Sequence, residues 1–204
     1  MHLTHEVIGI IAGILGLLGC IPYLASIFKR KTRPNKASWI IWALVGGLLA
    51  FSYFEDGDKN ALWLPLSYFL GPFFIAILSF RYGYSEWSKL EIVCIIMAAL
   101  SILPWLISAN AVVTLLINVL IDSMAAVPTL IKSYREPESE DLTAWLIFLI
   151  AGTMELFAIS TWDITSIYPL YLFFLTGSVV LLILAPSFLH GCLNRLIARI
   201  NRNM

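Results

Sequence analysis

The sequence predicts an all-α membrane protein with seven transmembrane helices, and three observations predict it. The 204 residues are 60% apolar and only 13% charged, with a mean hydropathy of +0.87; a soluble domain is nearer ~45–50% apolar and ~25% charged. Apolar runs near ~18–20 residues, the length that crosses a bilayer, recur along the whole chain. The polar breaks between them sort the basic residues to one side. This composition excludes disorder, a nucleic-acid-binding domain and an ordinary water-soluble enzyme. The length suits seven helices with short loops, not a membrane domain plus a soluble one.

The first run is Val7–Phe28. No basic stretch precedes it, so no cleavable signal is expected. It carries Gly9, Gly13, Gly16 and Gly19, small residues that let membrane helices approach closely, and Pro22 about one turn from its end. The loop Lys29–Lys36 follows. The second run, Ala37–Phe54, opens with Trp39 and Trp42 and contains Gly46. After Glu55–Asn60, the third, Ala61–Phe80, holds Pro65 and Tyr68. The fourth, Leu90–Ile107, lies beyond Arg81–Lys89. The fifth, Ala111–Ser133, contains Thr114, Asn118, Asp122 and Pro128. The sixth, Leu142–Trp162, contains Trp145, Gly152 and Glu155. The seventh, Ile167–Leu189, contains Tyr168, Pro169 and Tyr171. The tail has Arg195 and Arg199 four apart and reads as an amphipathic segment on the inner membrane surface.

An odd number of spans places the loops after the first, third and fifth helices on the same side as the C-terminal tail. Those segments, with Lys132 at the very end of the fifth run, hold every Lys and Arg except Lys59. Basic residues mark the cytoplasmic side. The N-terminus is therefore expected outside, the C-terminus in the cytoplasm, and the membrane is expected to be a bacterial-type inner membrane.

The chain also repeats itself. Pro22 and Pro128, Trp39 and Trp145, Gly46 and Gly152, and Phe51 and Phe157 are each 106 residues apart, as are Leu24 and Leu130, and Ile41 and Ile147. A shift of 104 pairs Pro65 with Pro169. Each half is then three helices, and the fourth helix has no counterpart. One extra crossing lets the second triplet start on the same side as the first, so the halves run parallel about an axis along the membrane normal. The expected units are a first three-helix bundle (1–84), a connector helix (85–109), a second bundle (110–189) and the tail (190–204).

This plan resembles the SWEET and PQ-loop transporter superfamily. The stretches that carry the resemblance are Gly19-Cys-Ile-Pro22-Tyr23 through Ser38-Trp39, and Ala126-Val-Pro128-Thr129 through Ala144-Trp145. Tyr23 and Thr129 stand where the Gln of the PQ dipeptide would be. Bacterial nicotinamide-riboside carriers share the plan. The resemblance implies alternating access around a central site, with Pro22, Pro128, Pro65 and Pro169 as hinges.

Asp122 lies at the middle of the fifth helix. A charge there costs ~2.5–3.5 kcal/mol even on the lenient insertion scale, so lipid exposure is disfavoured. Thr114 and Asn118 precede it at four-residue steps and are expected to share its cavity-facing side. Glu155, in the sixth helix, is the second intramembrane acid. Their repeat partners are Gly16 and Leu49, so both acids belong to one half only. With no basic partner in any span, they suit proton coupling or recognition of a cationic group; a packing role for Asp122 and an interfacial one for Glu155 stay open. Trp39, Trp145, Tyr68 and Tyr171 offer ring faces and hydroxyls for a substrate, or interfacial anchors.

Enzyme motifs are absent, and Cys20, Cys94 and Cys192 fall at unrelated spacings. No catalytic residues, metal or cofactor are expected. The expected function is a secondary transporter or facilitator for a small polar solute (sugar, amino acid or nucleoside-like), with protons as an optional coupling ion. The alternatives are a seven-helix ligand-binding receptor and, third, a membrane enzyme using the two acids. The partners are the solute and the lipid bilayer, not nucleic acid; self-association is left open.

Overall fold

The computed structural model describes residues 2–55, 63–84, 86–107 and 110–202. The Glu55–Asn60 break beyond Glu55, with Lys59, lies outside them, as do the side chains of Phe51, Trp63, Pro65, Trp105 and Cys192 and all those beyond Pro186. Among the described residues every regular element is helical: α1 (His2–Phe28), α2 (Lys36–Glu55), α3 (Trp63–Tyr82), α4 (Lys89–Ile107), α5 (Ala111–Arg135), α6 (Leu142–Ala158) and α7 (Ile167–Arg202), with two 3-10 turns at Pro137–Ser139 and Ile164–Ser166. Three of the helices are long and apolar enough to cross a membrane, over His5–Phe28, Val112–Arg135 and Ile167–Pro186. The protein is a helical membrane protein.

The helix starts follow local chemistry. Asn35 accepts from the backbone N–H and hydroxyl of Ser38 at the head of α2. Asp141, 106 residues on, accepts from the N–H of Ala144 at the head of α6. These are matched N-caps, each satisfying a backbone donor the helix leaves free. Ser88 and Glu91 form a reciprocal capping box on α4. The end of α1 turns through Arg30 at φ 57°. Arg30 N–H returns to Ile27 O and Lys31 N–H to Ser26 O, the paired bonds of a Schellman end.

Three helix ends differ from expectation by four residues or more. Helix α1 begins at His2 rather than Val7. Helix α6 stops at Ala158 rather than Trp162, because Ser160, Thr161 and Asp163 have side chains that compete for backbone groups. Helix α7 runs unbroken to Arg202, with Pro186 inside it. At 1.5 Å per residue that is about 54 Å, well beyond an ~30 Å hydrocarbon core. The tail thus continues α7 instead of forming a separate segment.

The packing has an internal correspondence. Helix α1 lies against α3 and α6, and α5 against α7 and α2; α2 packs on α3 as α6 packs on α7. Exchanging α1–α3 with α5–α7 maps this set of pairs onto itself. Helix α4 packs on α5 and α2, through Cys94 and Ala98 against Ile41, Ile121 and Ala125. Its other side exposes Ile92, Ile96, Leu100 and Leu103. In lipid, close packing rather than water exclusion holds helices together. A Cβ on Gly9 would meet Ala158 Cβ at 3.6 Å, and one on Gly19 would meet Phe148 Cε1 at 2.6 Å. The glycine seam therefore seats α1 on α6.

Candidate functional site

A cavity of about 500 Å³ opens between the six helices of the two triplets. Among the described residues, α4 contributes nothing to its lining. It extends from Trp39 and Trp145, near the basic-loop end, to Ala158, Ile159 and Pro169, where α6 ends and α7 begins.

The floor is aromatic. Ring centroids run Tyr23–Trp39 at 4.8 Å, Trp39–Trp42 at 5.0 Å, Trp42–Trp145 at 6.3 Å and Trp145–Phe148 at 5.5 Å. This chain of contacts passes from one triplet to the other. Trp39 and Trp145 are each only 3% exposed, so they are not interfacial anchors.

Beneath the floor lies a buried polar plug. The indole N–H of Trp39 donates to Tyr23 Oη (3.2 Å), and Tyr23 donates to Glu140 Oε2 (3.0 Å). Trp145 donates to the same oxygen at 2.9 Å. Lys132 Nζ stands 2.5 Å from Glu140 Oε1 as an ion pair, the side chains 6% and 0% exposed. Lys132 also donates to the carbonyls of Arg33 and Ser139. Thr129 donates to Ser38 across α5 and α2 at 2.7 Å. The plug thus ties both triplets together at the basic-loop end. Outside it, Asn35 donates to Glu91 at 2.9 Å, fastening α4. Tyr84 donates to Glu136; burial, then that bond, push the phenol up to about 12.

Higher in the cavity stand the two acids. Asp122 is 3% exposed and lines the cavity. Tyr171 and Trp42 adjoin its carboxylate. Its Oδ2 has no hydrogen-bond partner among the described residues, and neither does Tyr171 Oη. Its repeat partner Gly16, on α1, lines the same cavity, and an added Cβ there would meet nothing within 4 Å. Tyr68 of α3 donates to Glu155 of α6, joining the triplets a second time. Glu155 therefore turns into the cavity, not out to the interface.

Of the residues singled out from sequence, Asp122, Glu155, Trp39, Trp145 and Tyr68 all line this one cavity. Thr114 and Asn118 are not among its lining residues. A four-residue step turns an α-helix by about 40°, so a stripe drifts off a face within two steps. Tyr171 sits behind Asp122, packed against the main buried cluster. Pro22 and Pro128 lie inside α1 and α5. Pro65 and Pro169 occupy the third positions of α3 and α7, where a proline breaks no intrahelical bond; the interior prolines of those helices are Pro72 and Pro186. Sequence reasoning missed Glu140 and Lys132, which looked like solvated loop-end charges. No feature of the sequence sets them apart from the other loop-end charges. Among the described residues no group of three His, Cys, Asp or Glu is placed to hold a metal ion.

No family model, curated protein or solved structure matches this chain.

Proposed function

We propose that the chain is a seven-span secondary transporter or facilitator that moves a small polar solute (sugar, amino acid or nucleoside-like) by alternating access. In this reading α1–α3 and α5–α7 are parallel bundles of SWEET and PQ-loop type, and α4 is the connector. The N-terminus is outside, and the C-terminus is in the cytoplasm of a bacterial-type inner membrane. The observation that carries the reading is the cavity. Each bundle supplies three helices to it, so a bound solute touches both halves and senses their relative tilt. The matched helix pairs, matched N-caps and paired Pro22 and Pro128 support the duplication.

The plug closes the basic-loop end, so this conformation corresponds to an outward-facing state. Rocking the bundles would separate Ser38 from Thr129 and Tyr23 from Glu140, and would bring the Tyr68 and Glu155 ends together. Asp122 is the group that binds the solute or the coupling proton.

Uptake into proteoliposomes tests this, with a panel of labelled sugars, amino acids, nucleosides and organic cations and with or without a proton gradient. At least one class is expected to enter. Asp122→Asn should lower its uptake at least about tenfold, the loss of roughly 1.4 kcal/mol, or remove its response to the gradient. Saturable binding without flux for every member would make the protein a receptor. Unchanged uptake and pH dependence in Asp122→Asn would remove that residue from the mechanism.

A further inference from the structure

We infer that the cavity is built for an organic monocation with a flat apolar body, its charge facing Asp122 and its body lying in the space left by Gly16. This rests on reading the cavity as the solute site, and it narrows the solute to one chemical class. The first ground is charge. Among the described residues the lining contains two carboxylates and no Lys, Arg or His. Asp122 is almost fully buried, met by Tyr171 and Trp42, and its Oδ2 has no hydrogen-bond partner among the described residues. A buried carboxylate of this kind is stabilised by a positive partner and penalised without one.

The second ground is the wall. Trp42 adjoins Asp122 and meets the Trp39 and Trp145 rings edge-on. Ring faces beside a carboxylate favour a cation within reach of the π-system. The third ground is what the site lacks. The Thr176 hydroxyl is engaged by the Leu172 and Phe173 carbonyls, and the Trp39 and Trp145 N–H groups point into the plug. Few donors remain for a polyhydroxylated neutral solute. The fourth is room. Gly16 lines the same cavity as Asp122 with open space where a Cβ would stand, and about 500 Å³ falls in the range of sites for such molecules, roughly 300–1,000 Å³.

The test is direct binding to the purified full chain in lipid nanodiscs, with empty nanodiscs subtracted. The probe is the fluorescent cation N-methyl-4-(4-dimethylaminostyryl)pyridinium, compared at pH 8 with its neutral parent lacking the N-methyl group. The cation is expected to bind saturably and at least about tenfold tighter than the parent. Asp122→Asn should erase that preference. Gly16→Leu, which fills the open space, should weaken both forms alike. If Asp122→Asn fails to fold, Glu155→Gln serves in its place and should reduce the preference while Tyr68 still has an oxygen to donate to. Equal binding of the two probes, or full preference retained in a folded Asp122→Asn, overturns the inference. Binding is read without flux, so a receptor would pass here and fail the uptake test. A carrier of neutral solutes would pass that test and fail here.

Discussion

Glu140 gathers three side chains of the plug, Tyr23, Trp145 and Lys132, yet nothing in the sequence marks it. It stands in the acidic run Glu136–Asp141, beyond the end of α5. Such a run reads as a solvated loop. Its burial depends on the 3-10 turn Pro137–Ser139, which folds the loop back so that Lys132 can reach both Glu140 and the Arg33 carbonyl. Asp122 was legible because a charge mid-span has few places to go; Glu140 became visible only once two distant helices and a loop were assembled. The arrangement makes a quantitative prediction. Glu140→Ala leaves the Lys132 ammonium buried beside carbonyls alone, and should destabilise the fold by about 3–5 kcal/mol. The pair Lys132→Met with Glu140→Gln keeps an acceptor for Tyr23 and Trp145 and removes the stranded charge. It should cost clearly less than the two single changes added together. Thermal unfolding in one detergent measures both; a Glu140→Ala protein as stable as the parent would mean the ion pair contributes nothing.

At the scale of elements, all seven helices and most of their ends follow from apolar run length and capping residues. What did not follow is how closely each pair approaches, since that depends on which atoms meet. The glycines paired by the repeat illustrate this. A Cβ on Gly46 of α2 would lie 2.6 Å from Tyr68 O and 2.9 Å from Phe69 Cα, both backbone atoms of α3. A Cβ on Gly152 of α6 would lie 3.6 Å from Phe173 Cα, an ordinary contact. The sequence makes them equivalent, and the packing does not. Backbone cannot swing aside as a side-chain tip can, so Gly46→Ala must push α2 off α3. A loss of about 1–3 kcal/mol is expected there. Gly152→Ala should stay within about 0.5 kcal/mol of the parent. Thermal unfolding midpoints of the two alanine variants check the contrast, and equal midpoints would contradict the asymmetric packing. Gly46 and Gly152 both line the cavity, so the contrast is read from stability and not from solute binding.

For the whole molecule, the question is whether the two bundles move as units about the cavity. In the proposed cycle the plug is the contact that must break, and Ser38 and Thr129 are its simplest link between bundles. Their hydroxyl oxygens are 2.7 Å apart, on α2 and α5. Side chains that already meet end to end bring sulfur atoms at these positions within reach of one another, as a disulfide requires. Cysteines at both positions, oxidised in the closed form, should hold the basic-loop end shut. The cavity would remain accessible from the other end, so solute binding should persist while net flux falls to the background of empty liposomes. Reduction should restore flux. The native Cys20 and Cys94 are free and buried, and a Cys20→Ala, Cys94→Ala, Cys192→Ala background removes competing pairs. Plain damage from the two substitutions would persist after reduction, and a packing role for the Ser38 and Thr129 bond would leave flux equal in both redox states. Full flux through the oxidised protein would show that solute passes without the bundles parting at this end, and the rocking mechanism would then fail as a whole.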